Sequence, residues 1–111
     1  MKLPKFSGRP RKPKLFLIRR VMGMSMHPTL ADGRLVLAIT GLRNLKIGDV
    51  IIFRHEGLEK IKRVQFCDSA KLFVVGDNQQ ASTDSRRFGW VERSNVIGRV
   101  FWPVGLRGKS R

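Results

Sequence analysis

The chain has 111 residues, room for one domain with one modest core, and its 41% apolar content, somewhat low for a globular domain, is not low enough to argue disorder of the whole. Its 23 Lys and Arg outnumber 8 Asp and Glu to leave a net charge of +15, a balance that draws a protein to polyanions, either nucleic acid or an anionic membrane face. A single cysteine, Cys67, excludes an internal disulfide framework and any cysteine-built metal site, and reads as a small hydrophobe in a strand.

The first fourteen residues, MKLPKFSGRPRKPK, carry three prolines and six positive charges with no apolar period. Such a segment has nothing to bury and is expected to be a flexible basic arm. LFLI (Leu15 to Ile18) follows and runs straight into Arg19 and Arg20, so it is too short for a signal-peptide core. Neither it nor VIIF (Val50 to Phe53) approaches the roughly 20 residues of a membrane span. GMSMHPTLADGRLVLA, from Gly23, then places Ser25 between two methionines in a turn stiffened by Pro28.

Short strands broken by turns make up the rest. RLVLAIT (Arg34 to Thr40) and DVIIFRH (Asp49 to His55) are strands, and Glu56-Gly57 turns the second into a hairpin partner, LEKIKRVQF (Leu58 to Phe66). KLFVVG and VIGRVFW follow as further strands, and GLRGKSR is a closing basic tail. The expected organisation is an arm over 1–14, a folded domain over 15–104 and a tail over 105–111. The expected fold is mostly β: a small antiparallel core, curled or closed like a barrel to limit its edges, with long functional loops.

Candidate chemistry starts at Ser25. A serine hydroxyl is inert without a base. His27 lies two residues away and His55 sits beside a turn, so a Ser-His-Asp triad is one arrangement. Lys62 is a better one. On its strand it shares a face with Val64 and Phe66, and burial there lowers a lysine's pKa enough to make it a general base. Lys60 lies on that same face, which leaves open that Lys62 is one more exposed charge. A third stretch, VVGDNQQASTDSRRFGWV (Val74 to Val91), is a long loop with three hydroxyls, an aromatic residue and Asp84 two residues from Arg86. That content suits a packed functional loop rather than a floppy connector.

SMHPTL, IGDVIIF, IKRV and GDNQQASTDSRRFG resemble, in order and character, the motifs of the type I signal peptidases, serine endopeptidases with a Ser/Lys dyad. The resemblance implies Ser25 as nucleophile, its backbone N–H as an oxyanion-hole donor, Lys62 as general base and Ser82 as the hydroxyl that orients the lysine. It implies Asp84 and Arg86 as a bracing ion pair, and Gly76, Asp77 and Asn78 as structural support. Gly23 stands where some members carry a second oxyanion hydroxyl, so that donor comes from elsewhere. No cofactor and no metal are implied. The substrate would be a precursor polypeptide bound as an extended strand, losing an N-terminal leader.

The chain departs from typical members in three places. A basic arm stands where they carry membrane spans, QFCDSAKLF replaces the glycine- and proline-containing segment after the lysine motif, and thirteen residues separate Lys62 from Gly76, leaving no inserted domain. This compactness is similar to the maturation proteases of nickel-type superoxide dismutase and to the mitochondrial inner-membrane peptidases. The expected location is cytoplasmic, or peripheral on an anionic membrane. The competing class is an inactive basic membrane- or nucleic-acid-binding module on the same fold. Against it, both Ser25 and Lys62 are kept, and with no tyrosine and no RNA-binding signature nucleic acid is not an expected partner. Oligomeric state is left open.

Overall fold

The computed structural model describes residues 14–41 and 44–104. Apart from Lys14, the basic arm falls outside the described residues, as does the tail. Seven strands form one antiparallel sheet: β1 (Phe16–Arg20), β2 (Leu35–Ile39), β3 (Val50–His55), β4 (Leu58–Cys67), β5 (Lys71–Val75), β6 (Val91–Glu92) and β7 (Val96–Trp102). Their spatial order is β1-β2-β7-β3-β4-β5-β6, so β7 is inserted between β2 and β3. A single-turn α-helix, α1 (Ser85–Phe88), lies in the loop after β5, preceded there by a 3-10 turn over Gln79–Ala81.

The hairpin expected at Glu56-Gly57 is present. Both residues have positive φ, 52° and 79°, the geometry of a two-residue turn whose twist matches the flanking strands. Register is continuous from His55↔Leu58 to Val50↔Arg63. β1 was not expected as a strand. Its exposure alternates with the apolar Phe16 and Ile18 facing outward, the reverse of the usual pattern, which hides it from a reading by periodicity.

The sheet is curled and open. Between β1 and β4 lie three strands, a separation of about 19 Å in a flat sheet. Yet Arg19 of β1 holds Glu59 of β4 at 2.7 Å, farther than the two side chains could span on a plane. The sheet therefore coils β1 back towards β4, while among the described residues β1 and β6 are its unpaired edges.

β3 explains its own sequence. Val50 and Ile52 join one core cluster with Val21, Met26, Leu30, Val36, Ala38 and Val100. Ile51 and Phe53 join the other with Leu45, Val64, Leu72, Val74 and Val91. A strand covered on both faces needs an unbroken apolar run, here VIIF, instead of alternation. Among the described residues, no helix is long and apolar enough to cross a membrane.

Candidate active site

The loop between β1 and β2 carries Ser25. Its base is closed by Val21 N–H donating to Arg34 O (2.8 Å) and Gly33 N–H to Val21 O (2.7 Å). Inside it, the side chains of Met26 and Leu30 are buried in the core and bonds from His27 N–H to Met24 O and from Leu30 N–H to Met26 O wind the chain into a tight turn. Ser25 sits half-buried just before that anchor. Gly23 has φ +92°, a conformation that favours glycine, and its N–H donates to Asp32 Oδ1 at 2.7 Å. The Gly23 N–H is thus engaged within the loop.

Lys62 reaches the same point from β4. Its Nζ lies 2.8 Å from Ser25 Oγ and donates to it. The lysine is only 6% exposed, and its pKa is lowered: burial is the largest cause, the Asp84 carboxylate opposes it, and Lys60 adds a smaller lowering. This is a cation stripped of water beside a hydroxyl, the arrangement in which a lysine can release its proton and take one from serine.

Behind the lysine stands Asp84, buried at the N-terminus of α1. It accepts from the Ser82 hydroxyl (2.7 Å), from Gly76 N–H (2.8 Å) and from Arg86 at 2.9 and 2.6 Å. Burial alone would raise its pKa, but these donors, Arg86 foremost, outweigh it and hold the carboxyl well below its ordinary value. The Ser82 hydroxyl therefore gives its proton to Asp84, and its link to Lys62 runs through that carboxylate.

Gly76 is the pivot between the two halves. A Cβ there would lie 2.3 Å from Ser82 Oγ and 2.6 Å from Ser25 O, so only hydrogen fits where the loop from β5 crosses the serine turn. Next along the chain, Asn78 N–H donates to Ser25 O (2.8 Å) and its side-chain amide to Met24 O (3.0 Å). Asp77 forms a two-pronged pair with Arg63, each contact 2.8 Å, and its N–H meets Met26 Sδ at 3.4 Å. The residues that the resemblance assigned to the site thus lie in one connected cluster, built from the serine loop, β4 and the loop after β5.

Three details were not read from the sequence. Phe66 does not share the buried face of Lys62, because a register shift between Val64 and Phe66 turns its ring outward, 52% exposed. Arg63 and Asp32, which brace the cluster from outside, carry no motif of their own and meet their partners only through the fold. Neither histidine serves Ser25: His27 is exposed, and His55 pairs with Lys60.

Comparison with known proteins agrees with the motifs. The family described as signal peptidase, peptidase S26 matches residues 65–105, a stretch that holds the Gly76–Arg86 loop but neither Ser25 nor Lys62. Signal peptidase I of Buchnera aphidicola is 30% identical over 86 residues, covering 67% of this chain and 26% of that protein. Signal peptidase I of Leptolyngbya laminosa is 46% identical over 41 residues, covering 34% of this chain and 20% of that protein. Signal peptidase IB of Staphylococcus aureus is 44% identical over 36 residues, covering 30% of this chain and 19% of that protein. The chain spans about a quarter or less of the length of these relatives.

Proposed function

These matches support the type I signal peptidase family for this chain, and on that premise we propose that it is a serine endopeptidase that removes leader peptides from precursor proteins. Ser25 is the nucleophile and Lys62 the general base. The observation that carries this reading is the 2.8 Å contact between Ser25 Oγ and the buried Lys62 Nζ.

Neutral Lys62 accepts the Ser25 proton as Oγ bonds to the scissile carbonyl carbon. The Ser25 N–H faces the oxygen that gains charge, a contact type worth about 2.7–4 kcal/mol in other serine peptidases. The lysine then gives its proton to the departing amine as the C–N bond breaks. Water, with Lys62 again as base, releases the acyl group from Ser25. Asp84 acts on the lysine through its charge, Ser82 hydrogen-bonds that carboxylate, and Asn78 and Gly76 hold the serine turn against them. A precursor enters as an extended strand, and β1, the free edge that leads to Ser25, supports such pairing.

The enzyme works at an anionic membrane surface. Support comes from the net charge of +15 and from Phe16, Ile18, Met22 and Met24, which stand exposed before the nucleophile.

Purified protein incubated with leader-bearing precursors and analysed by mass spectrometry tests the chemistry. One defined cut, absent in Ser25→Ala and in Lys62→Ala, is the expected result. A cut that persists in either variant, or no cut in any precursor with or without lipid, overturns it.

A further inference from the structure

Lys60 is a lysine that does not behave as surface charge. Its Nζ lies 3.0 Å from His55 Nδ1 and 5.0 Å from the centroid of the Phe88 ring. His55 in turn stacks on Phe88 at 4.1 Å with an interplanar angle of 26°. With the imidazole proton on Nε2, the Lys60 ammonium donates to Nδ1 while the aromatic face attracts its charge. Three elements, β3, β4 and α1, thus immobilise one long side chain that would otherwise be free to sweep through solvent, at a cost in rotamer entropy.

The place where it is held matters. Lys60 and Lys62 are two apart on a stretch of β4 whose pairing with β3 is regular, opposite Phe53 and Ile51, so they share a face about 7 Å apart. The charges that bear on Lys62 are Asp84, the stronger, which favours its protonated form, and Lys60, the weaker, which opposes it. Asp84 is largely engaged by Arg86, Ser82 and Gly76 N–H. Around Lys60 the titratable neighbours are His55 and, 4.0 Å from the ring, the exposed Glu56.

We propose that Lys60 is a positioning residue for the Ser25–Lys62 pair, a second cation pinned by His55 and Phe88 to repel the proton from the base. The proposal deepens the peptidase reading and rests on it. Lys60 touches no reacting atom and acts through Lys62 alone.

The test is a pH profile of kcat/KM for the full chain, with Lys60→Met and Lys60→Arg beside it. Lys60→Met is expected to be about three- to tenfold slower on the acidic limb and equal to the parent on the alkaline plateau. Lys60→Arg, which keeps the charge, is expected to keep the limb in place. Lys60→Met that is slowed equally at every pH, or not at all, overturns the proposal. Titration of Lys62 by NMR on lysine-labelled protein supplies a readout that needs no substrate: its midpoint rises in Lys60→Met, and an unmoved midpoint overturns the proposal. If the parent protein makes no Ser25-dependent cut, the peptidase reading fails while this titration still decides whether Lys60 acts on Lys62.

Discussion

Keeping Lys62 at 6% exposure sets function against stability. Its folded pKa lies below the ordinary lysine value of 10.5, chiefly through burial. The unfolded chain therefore binds more protons than the folded one in the window between the depressed value and 10.5, and stability rises with pH across that window. At neutral pH the lysine is a cost. Lys62→Met, which keeps the length and removes the charge, is expected to abolish cutting and to stabilise the fold by about 0.5–2 kcal/mol. Thermal melts at pH 7 check this, since each kcal/mol moves the midpoint of so small a domain by about 4–8 °C. Gly76→Ala acts in the opposite sense. Its methyl would press on the Ser25 carbonyl at 2.6 Å, a backbone atom that cannot rotate away. The expected outcome is a loss of stability of about 1–3 kcal/mol, seen in urea unfolding, and at least tenfold lower kcat/KM from the displaced turn.

At the scale of elements, the loop from β5 through α1 is a scaffold built on one carboxylate. Asp84 contributes stability that is fully present above its ordinary pKa of 3.8 and is lost as pH falls through its depressed folded value. Arg86→Leu removes the principal donor and raises that folded value. The destabilisation should be about 1–3 kcal/mol near neutrality, scaled down from a fully buried pair because the arginine is 38% exposed. It should shrink as pH falls from the variant's raised folded value towards the parent's depressed one, below which Asp84 is protonated in both proteins and no longer distinguishes them. Denaturant titrations at pH 7 and at progressively acid pH measure both limbs. The same loop shows what could be read in advance. The pairing of Asp84 with Arg86 was legible because two residues apart is a local relation. The helix that separates them from the strands was not, since a single turn carries no period. β2, β3, β4, β5 and β7 were legible from apolar runs between turn residues, whereas β1 and the outward turn of Phe66 were concealed, one by inverted exposure and the other by a register shift.

At the scale of the molecule, charge and apolar exposure coincide on the β1 side. Phe16 is 73% exposed and Ile18 61%, close to Arg19 and Arg20. Vesicles rich in phosphatidylglycerol should float with the protein at low salt, and Phe16→Ser with Ile18→Ser should reduce recovery by about tenfold. Raised salt should weaken binding as screening grows. Neutral phosphatidylcholine vesicles that bind equally well would point to apolar insertion without the electrostatic part. Ser25 and Lys62 were legible as residues, and their meeting was legible only through the family resemblance, not from their spacing. They are 37 positions apart, and only the coiling of the sheet brings the β1–β2 loop over β4.

That coiling has a consequence in time. β7, the last of the described strands in chain order, fills the slot between β2 and β3, so it is the wedge that joins the half bearing Ser25 to the half bearing Lys62. While the chain is being made, both residues emerge long before residue 102, yet without β7 they belong to two separate sheet fragments. On the peptidase reading proposed above, a nascent chain would hold Ser25 and Lys62 on unjoined sheet fragments until β7 is in place.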